Sequence, residues 1–487
     1  MWSDRLPEAR RRKLAERLRT VLPAPRANSR GARTPLRPGG RTPPQPAALA
    51  EELRGRPGFA WLDAGPGGHR LYAEPLATLT VRGGKALVTG PHGSVRLSAG
   101  GFDLLEAAFA AWAEAGGPTA SLVGYLGYEL AGEIEALPPP PPDDLGLPDL
   151  HLALYDSAFR WDGGAWTLET TDAWRSEVES AARVIEAERL LASARRRKAP
   201  DPPAGSLASG PILSLPARAG FEAAVERAVA RIGTGEIFQV NLCRRLETAL
   251  PAERVWPLYH RLRAASPAEQ GAFLDLGKGR ALLSISPELF LTSREGEVET
   301  RPIKGTRARG ANPRDDRALA RELLESEKDR AELTMIVDVA RSDLGRVCET
   351  GSVEVVRHGE LVTLPTMHHT VSTVRGRLRP EAGPVDLLRA TFPAASISGA
   401  PKIQAMKVIV AEEERRRGPA MGAVGWISLG GDLELSVAIR TAAAVPGRVA
   451  YHAGCGIVAD SDPEMEYAES ATKARAFLAA LGTVETL

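Results

Sequence analysis

From Gly422 to Val458 the chain reads GAVGWISLGGDLELSVAIRTAAAVPGRVAYHAGCGIV, three apolar runs separated by very short junctions, the first around Gly430-Gly431. A parallel pair needs a crossover of about a dozen residues or more, so neighbours this close must pair antiparallel. The spacing predicts strands over 423–429, 433–444 and 449–458, and further strands over 237–247, 281–285 and 289–294. Helical periodicity falls at 218–233, 312–342, 399–416 and 463–481. A doubly wound βα alternation and a solenoid repeat are both missing, so the fold class is α+β with antiparallel sheet dominant.

Several function classes are excluded by composition. A net charge of +1 over 487 residues gives no general attraction to nucleic acid or a membrane surface. Cys243, Cys348 and Cys455 are too few and scattered for a disulfide framework or a zinc site, which fits a reduced, cytoplasmic setting. No apolar run is long enough to span a bilayer, and no signal-peptide core opens the chain.

The charge is uneven. Residues 1–45 carry eleven Arg and one Lys against three acids, and from Pro23 they turn rich in Pro, Gly and Arg. Met1 to Leu22 could form a short basic helix; 23–47 reads as a disordered linker, so 1–56 is expected to be a dispensable extension. Short strands fill 57–162, interrupted by the extended segment PPPPPPDDLGLPD (138–149). A helical stretch follows from Trp174 to Arg197, and KAPDPPAGSLASGP (198–211) is a linker by composition. The organisation expected is an N-terminal subdomain at 57–197 and a catalytic domain at 212–487.

Chemistry concentrates in the second half. Ser461-Asp462-Pro463 supplies an N-cap and a first-position proline, so Glu466 and Glu469 share one face of the helix that follows. Glu332 lies on a second acidic helix. Carboxylates from two helices facing one cavity would suit a hard cation; on spacing alone, solvated helix faces are the commoner explanation, with Glu469 and Lys473 an ordinary i,i+4 pair. SISGAPK (396–402) could offer free backbone N–H groups to an anion. In PIKGTRARG (302–310) one lysine sits between an apolar strand end and a glycine turn. Desolvation there would make Lys304 a nucleophile, whereas most loop lysines stay solvated. His369 is open to a structural or a catalytic role.

Taken in order, GEIFQVNLC (235–243), SISPELFL (284–291), PIKGTRARG, ELTMIVDVARSDLGRV (332–347), HTVSTVRG (369–376), SISGAPKIQAM (396–406), GAVGW (422–426), AIRTA (438–442) and AGCGIVADSDPEMEYAESATKA (453–474) resemble the chorismate-binding enzymes. That family includes the anthranilate synthase large subunit, aminodeoxychorismate synthase component I and the isochorismate and salicylate synthases. YAEPLATLT (72–80), GYLGYELAGEIEALP (124–138) and LPDLHLALYDSAF (147–159) extend the resemblance to about residue 57. It implies two packed antiparallel sheets with helices outside, and a substrate site between the sheets.

The resemblance also implies roles. Glu332 and Glu469 match Mg2+ ligands, with Glu466 a third acid near the metal. Arg440, the backbone of Gly399, Ala400 and Gly456, and Lys473 would bind substrate carboxylates, and Ser396 would contact the substrate. Glu288 matches a general acid/base, and His369 a histidine near the ring carboxylate. Lys304 stands where the aminodeoxychorismate-forming members have PIKGT and anthranilate synthases typically have PIAGT. Gln239 stands where isochorismate-forming members carry a water-activating lysine. FAWLDA (59–64) lacks the LES-type sequence typical of tryptophan-sensing anthranilate synthases. All three favour formation of 4-amino-4-deoxychorismate through covalent Lys304. None of the cysteines sits in a glutaminase nucleophile turn, so ammonia should come from a separate glutamine amidotransferase subunit. An anthranilate synthase large subunit, or a non-catalytic chorismate or tryptophan sensor, are the rival readings.

Overall fold

The computed structural model describes residues 6–26, 29–37, 42–63, 68–197, 205–364 and 367–483. Its core is two large, almost wholly antiparallel sheets, packed face to face, with helices outside. Leu282 and Leu283 illustrate how the layers are specified. Adjacent strand residues point to opposite faces, so Leu282 packs between the sheets with Ala60, Tyr72, Val424 and Ala443. Leu283 packs outward with Leu258, Tyr259 and Phe477 under the helices Val255–Ala265 and Pro463–Leu481. Burial on both faces explains why these strands read as continuous apolar runs.

The hairpin forms as the glycines predict. Ala423–Ser428 pairs antiparallel with Leu433–Val437, and the Ser428 N–H donates to Asp432 O at 2.7 Å. The helices Arg218–Gly233 and Pro463–Leu481 match their predicted bounds, the latter capped by the Asp462 side chain. Two predicted elements are instead divided. Helix 312–342 breaks at Ser326, whose side chain caps Glu327–Gly345 after Pro313–Glu325 has ended. Strand 433–444 breaks at residues 438–440, because the chain leaves one sheet there and enters the other.

Two domain expectations need correcting. The segment 198–211 divides the sequence but not the fold, and its residues 198–204 lie outside the described ones. Strands from either side of it share both sheets: Ala60–Asp63 pairs with Gln270–Gly277, and Ser121–Leu126 with Ala423–Ser428. The basic N-terminus is not a separate disordered extension over its described residues. Helix Glu8–Arg19 buries Leu14 and Leu18, joined by Leu22, in the same core as helix Gly101–Gly116. Gly31–Pro35 pairs with Trp166–Thr171, and Pro46–Leu53 buries Leu49, Ala50 and Leu53. The helix expected within residues 1–22 forms; what the arginine content obscures is its buried face, Leu14 and Leu18 at i, i+4. Several of those arginines donate to main-chain oxygens, Arg17 to Arg96 O at 2.9 Å and Arg19 to Ala110 O at 2.8 Å. Among the described residues no helix is long and apolar enough to cross a membrane.

Candidate active site

Two sheet-to-sheet crossings define the cleft. The chain passes from Arg280–Ser286 in the first sheet to Leu289–Arg294 in the second through Pro287 and Glu288. It returns from Leu433–Val437 to Thr441–Val445 through Ala438, Ile439 and Arg440. The crossings brace each other: Val437 N–H donates to Glu288 O at 3.0 Å, and Ile285 N–H to Arg440 O at 3.2 Å. Arg440 takes φ +49°, a left-handed conformation that turns the chain here. An acid and a guanidinium are thereby held at the junction of the two sheets.

Glu288 is 4% exposed. Burial pushes its carboxyl up to about 7, against the nearby Ser396 hydroxyl, Lys304 and Arg440, which favour the charged form. It can therefore give or take a proton near neutral pH. A narrow cavity of about 20 Å³, lined by Glu288, Thr300, Asp343, Thr391 and Ser396 among others, lies beside it. Arg440 is desolvated, which lowers its pKa; its Nη2 reaches Met367 Sδ at 3.2 Å, and no carboxylate among the described residues pairs with it. A buried guanidinium of this kind suits a ligand carboxylate.

Lys304 lies on Ile303–Ala308, at one end of the second sheet. Its Nζ donates to Ser396 O at 3.3 Å and stands 3.9 Å from Glu332 Oε2. Burial pulls the ε-amine below its usual pKa, with the Glu332 charge opposing. Thr370 Oγ1 donates to the Lys304 carbonyl, tying the strand to Met367–Arg377. His369 lies on that partner strand opposite Thr306, whose hydroxyl meets its Nδ1 at 2.9 Å. Burial, aided by Arg440, lowers its pKa to about 4, so the imidazole is neutral; Nε2 is buried without a hydrogen-bond partner among the described residues.

Ser396 sits in the one-turn helix Ala395–Ile397, its buried hydroxyl beside the Glu288 carboxyl. Helix Lys402–Glu412 starts three residues later than predicted, with Pro401 as its N-cap, so only the last two residues of SISGAPK open it. Gly399 and Ala400 form a two-residue strand against Val240 and Gln239. At Gly399, φ is +139° and a Cβ would lie 2.2 Å from Gln239 O, so glycine serves backbone packing here. Gly456, on Arg448–Ile457, is different. A Cβ there would lie 2.4 Å from Gln239 Nε2 and 3.6 Å from Lys304 Nζ, so its bareness keeps the space between them open.

The acids gather less tightly than their spacing suggests. Glu466 is buried, takes a hydrogen bond from Ser461 Oγ at 2.7 Å, and leaves Oε2 without a partner among the described residues. Glu469 is half-exposed and paired with Lys473 at 2.8 Å; Lys473 Nζ also donates to Gly454 O at 2.9 Å. In this arrangement Lys473 is engaged by protein groups. Among the described residues, Cys455, Glu466 and Glu469 bring ligand atoms within 4.8 Å of one another, and Glu332 is not in that group. Glu332 instead accepts from Gln239 Nε2 at 3.4 Å and faces Lys304, while its charge still interacts with Glu469. The orphaned Glu466 oxygen and the carboxylate donors fit a hard dication, which disfavours the thiol.

By sequence Gln239 is only a subfamily marker. The structure makes it a site residue: it is 1% exposed, bonded to Glu332, and its Oε1 has no partner among the described residues. Its sequence signal is an amide among apolar neighbours, between Ile237-Phe238 and Val240 where the strand begins.

Buried acids, a desolvated amine and a free guanidinium in one cleft define a site for a small anionic substrate. The family model described as chorismate binding enzyme matches residues 57–479. Anthranilate synthase component 1 of Streptomyces coelicolor is 39% identical over 384 residues, covering 75% of this chain and 73% of that one. Aminodeoxychorismate synthase component 1 of Salmonella typhimurium is 37% identical over 356 residues, covering 73% and 75%. The crystal structure of anthranilate synthase component I from Streptococcus pneumoniae superposes with TM-score 0.71 at 29% identity, covering 85% and 92%. The chain belongs to the chorismate-binding enzyme family.

Proposed function

We propose that this enzyme aminates chorismate at C4, forming 4-amino-4-deoxychorismate, and acts in the cytoplasm on the route to p-aminobenzoate and folate. The observation that carries the reading is the buried amine of Lys304 beside Glu332 and the Ser396 carbonyl. Arg440, helped by Ser396 and the backbone near Gly456, would hold the substrate's carboxylates. Glu332, Glu466 and Glu469 would bind Mg2+, which when bound supplies positive charge against the ring carboxylate. The Lys304 amine adds at C2 as the C4–O bond breaks, and Glu288 protonates the departing hydroxyl, releasing water. Ammonia then adds at C4 and passes its surplus proton to the Glu288 carboxylate, as the C2–N bond to Lys304 breaks. The lysine leaves as an amine, and the new amino group stands para to the ring carboxylate.

Two curated relatives are named component 1, and ammonia is read here as the delivery of a glutamine amidotransferase subunit. The second reading, an anthranilate synthase large subunit, is favoured by the 39% identity to the Streptomyces coelicolor protein. Incubation with chorismate, ammonium and Mg2+ separates the two by product mass and retention. Anthranilate as the product, or no turnover, overturns the proposal; glutamine use by the chain alone overturns the partner.

A further inference from the structure

Behind the cleft lies a buried ion pair with no role in the steps above. Arg417 is 2% exposed, and its guanidinium stacks over the Tyr128 ring at 4.4 Å. Nε and Nη2 donate to the two Glu413 oxygens at 2.9 and 2.6 Å. The other donors reach two carbonyls from distant parts of the chain, Ile397 O at 2.9 Å and Asn241 O at 2.7 Å. Glu413 Oε1 also accepts from Cys243 N–H at 2.9 Å, and Asn241 N–H donates to Ser398 O at 2.9 Å.

Both carbonyls lie next to site residues. Ile397 follows Ser396, whose own carbonyl takes the hydrogen bond from Lys304 Nζ. Asn241 lies two residues after Gln239, on the strand Gln239–Ala249. Desolvation offsets much of the attraction in a buried pair, so such a pair adds little net stability. A planar fork does fix two carbonyls in one geometry, which a lysine cannot reproduce.

We propose that Arg417, locked to Glu413, is a positioning residue: it registers the Ser396 turn against the Gln239 strand and thereby aims the amine of Lys304. The link to turnover rests on the amination reading above. Its test therefore includes a readout independent of activity.

Arg417→Lys, and Glu413→Gln as the milder variant should Arg417→Lys fail to fold, are compared with wild type by competitive labelling with acetic anhydride and peptide mass spectrometry. The labelling rate of Lys304 should change at least ~5-fold, while that of the exposed Lys85 and Lys278 stays constant. In the ammonia assay Arg417→Lys should lower kcat at least ~10-fold, but less than ~2-fold in a Lys304→Ala background, since residues acting through one group are not additive. Unchanged Lys304 labelling, or rate factors that multiply, would overturn the positioning role. Wild-type turnover by Lys304→Ala would instead remove the covalent role of Lys304, and the labelling would still decide for Arg417.

Discussion

Gly456→Ala isolates the geometry of the cleft from its stability. The backbone at this position is not in the left-handed region, so alanine meets no conformational penalty. The added Cβ would stand 2.4 Å from Gln239 Nε2, against an ordinary van der Waals contact of roughly 3.4 Å or more, so the amide must retreat by about 1 Å. The clash falls on the far end of a side chain, and a cost of ~1 kcal/mol in folding stability is expected, the low end for overpacking. The cost to activity should be much larger. Gln239 would move away from Glu332, which it now meets at 3.4 Å, and the methyl would enter the space in front of Lys304. Misplacement of about 1 Å near reacting atoms costs ~100-fold, or ~2.7 kcal/mol of barrier. The assay is kcat/KM for chorismate at saturating ammonia, with urea melts on the same samples. Wild-type kcat/KM in a folded Gly456→Ala enzyme would refute the assignment of the Gln239–Lys304 gap as substrate space.

Lys304→Ala should lower formation of the C4-aminated product at least ~100-fold while chorismate binding persists, and quenched wild-type reactions should carry a chorismate adduct on the Lys304 peptide. Retained rate and regiochemistry in the variant would exclude covalent catalysis. Because burial raises the Glu288 pKa to about 7 and the protonated form is the acid, kcat at saturating free ammonia should fall as pH rises through about 7; Glu288→Gln should abolish this limb along with most activity. The same raised pKa contributes stability that is fully present below the unfolded value of 4.5 and lost as pH rises to about 7, which urea melts of wild type and Glu288→Gln would reveal. Leu18→Ala, at a fully buried position of the N-terminal helix, should cost ~2–5 kcal/mol in urea melts; no loss would mean the helix does not pack on the core in solution.

Local pattern was enough for what depends on near neighbours in the chain. Gly430-Gly431 between apolar runs fixed a hairpin, and Asp462-Pro463 fixed the start of a helix, because turns and caps are decided within a few residues. The family blocks carried Lys304, Glu288, Arg440 and the acids as candidates. Depth and partnership were not legible there. Residues 433–444 look like one strand, since nothing in an apolar run marks where it changes sheets; only packing of the two layers breaks it at 438–440 and sets Arg440 in the cleft. Composition alone took the N-terminus for a solvated arm, because whether Leu14 and Leu18 are buried depends on helix Gly101–Gly116, more than eighty residues away in the chain. The nearness of Cys455 to Glu466 and Glu469, the contact of Gln239 with Glu332, and the grip of Arg417 on two remote carbonyls are likewise tertiary. Each joins residues whose separation along the chain gives no local signal, so only the folded packing of strands and helices could bring them together.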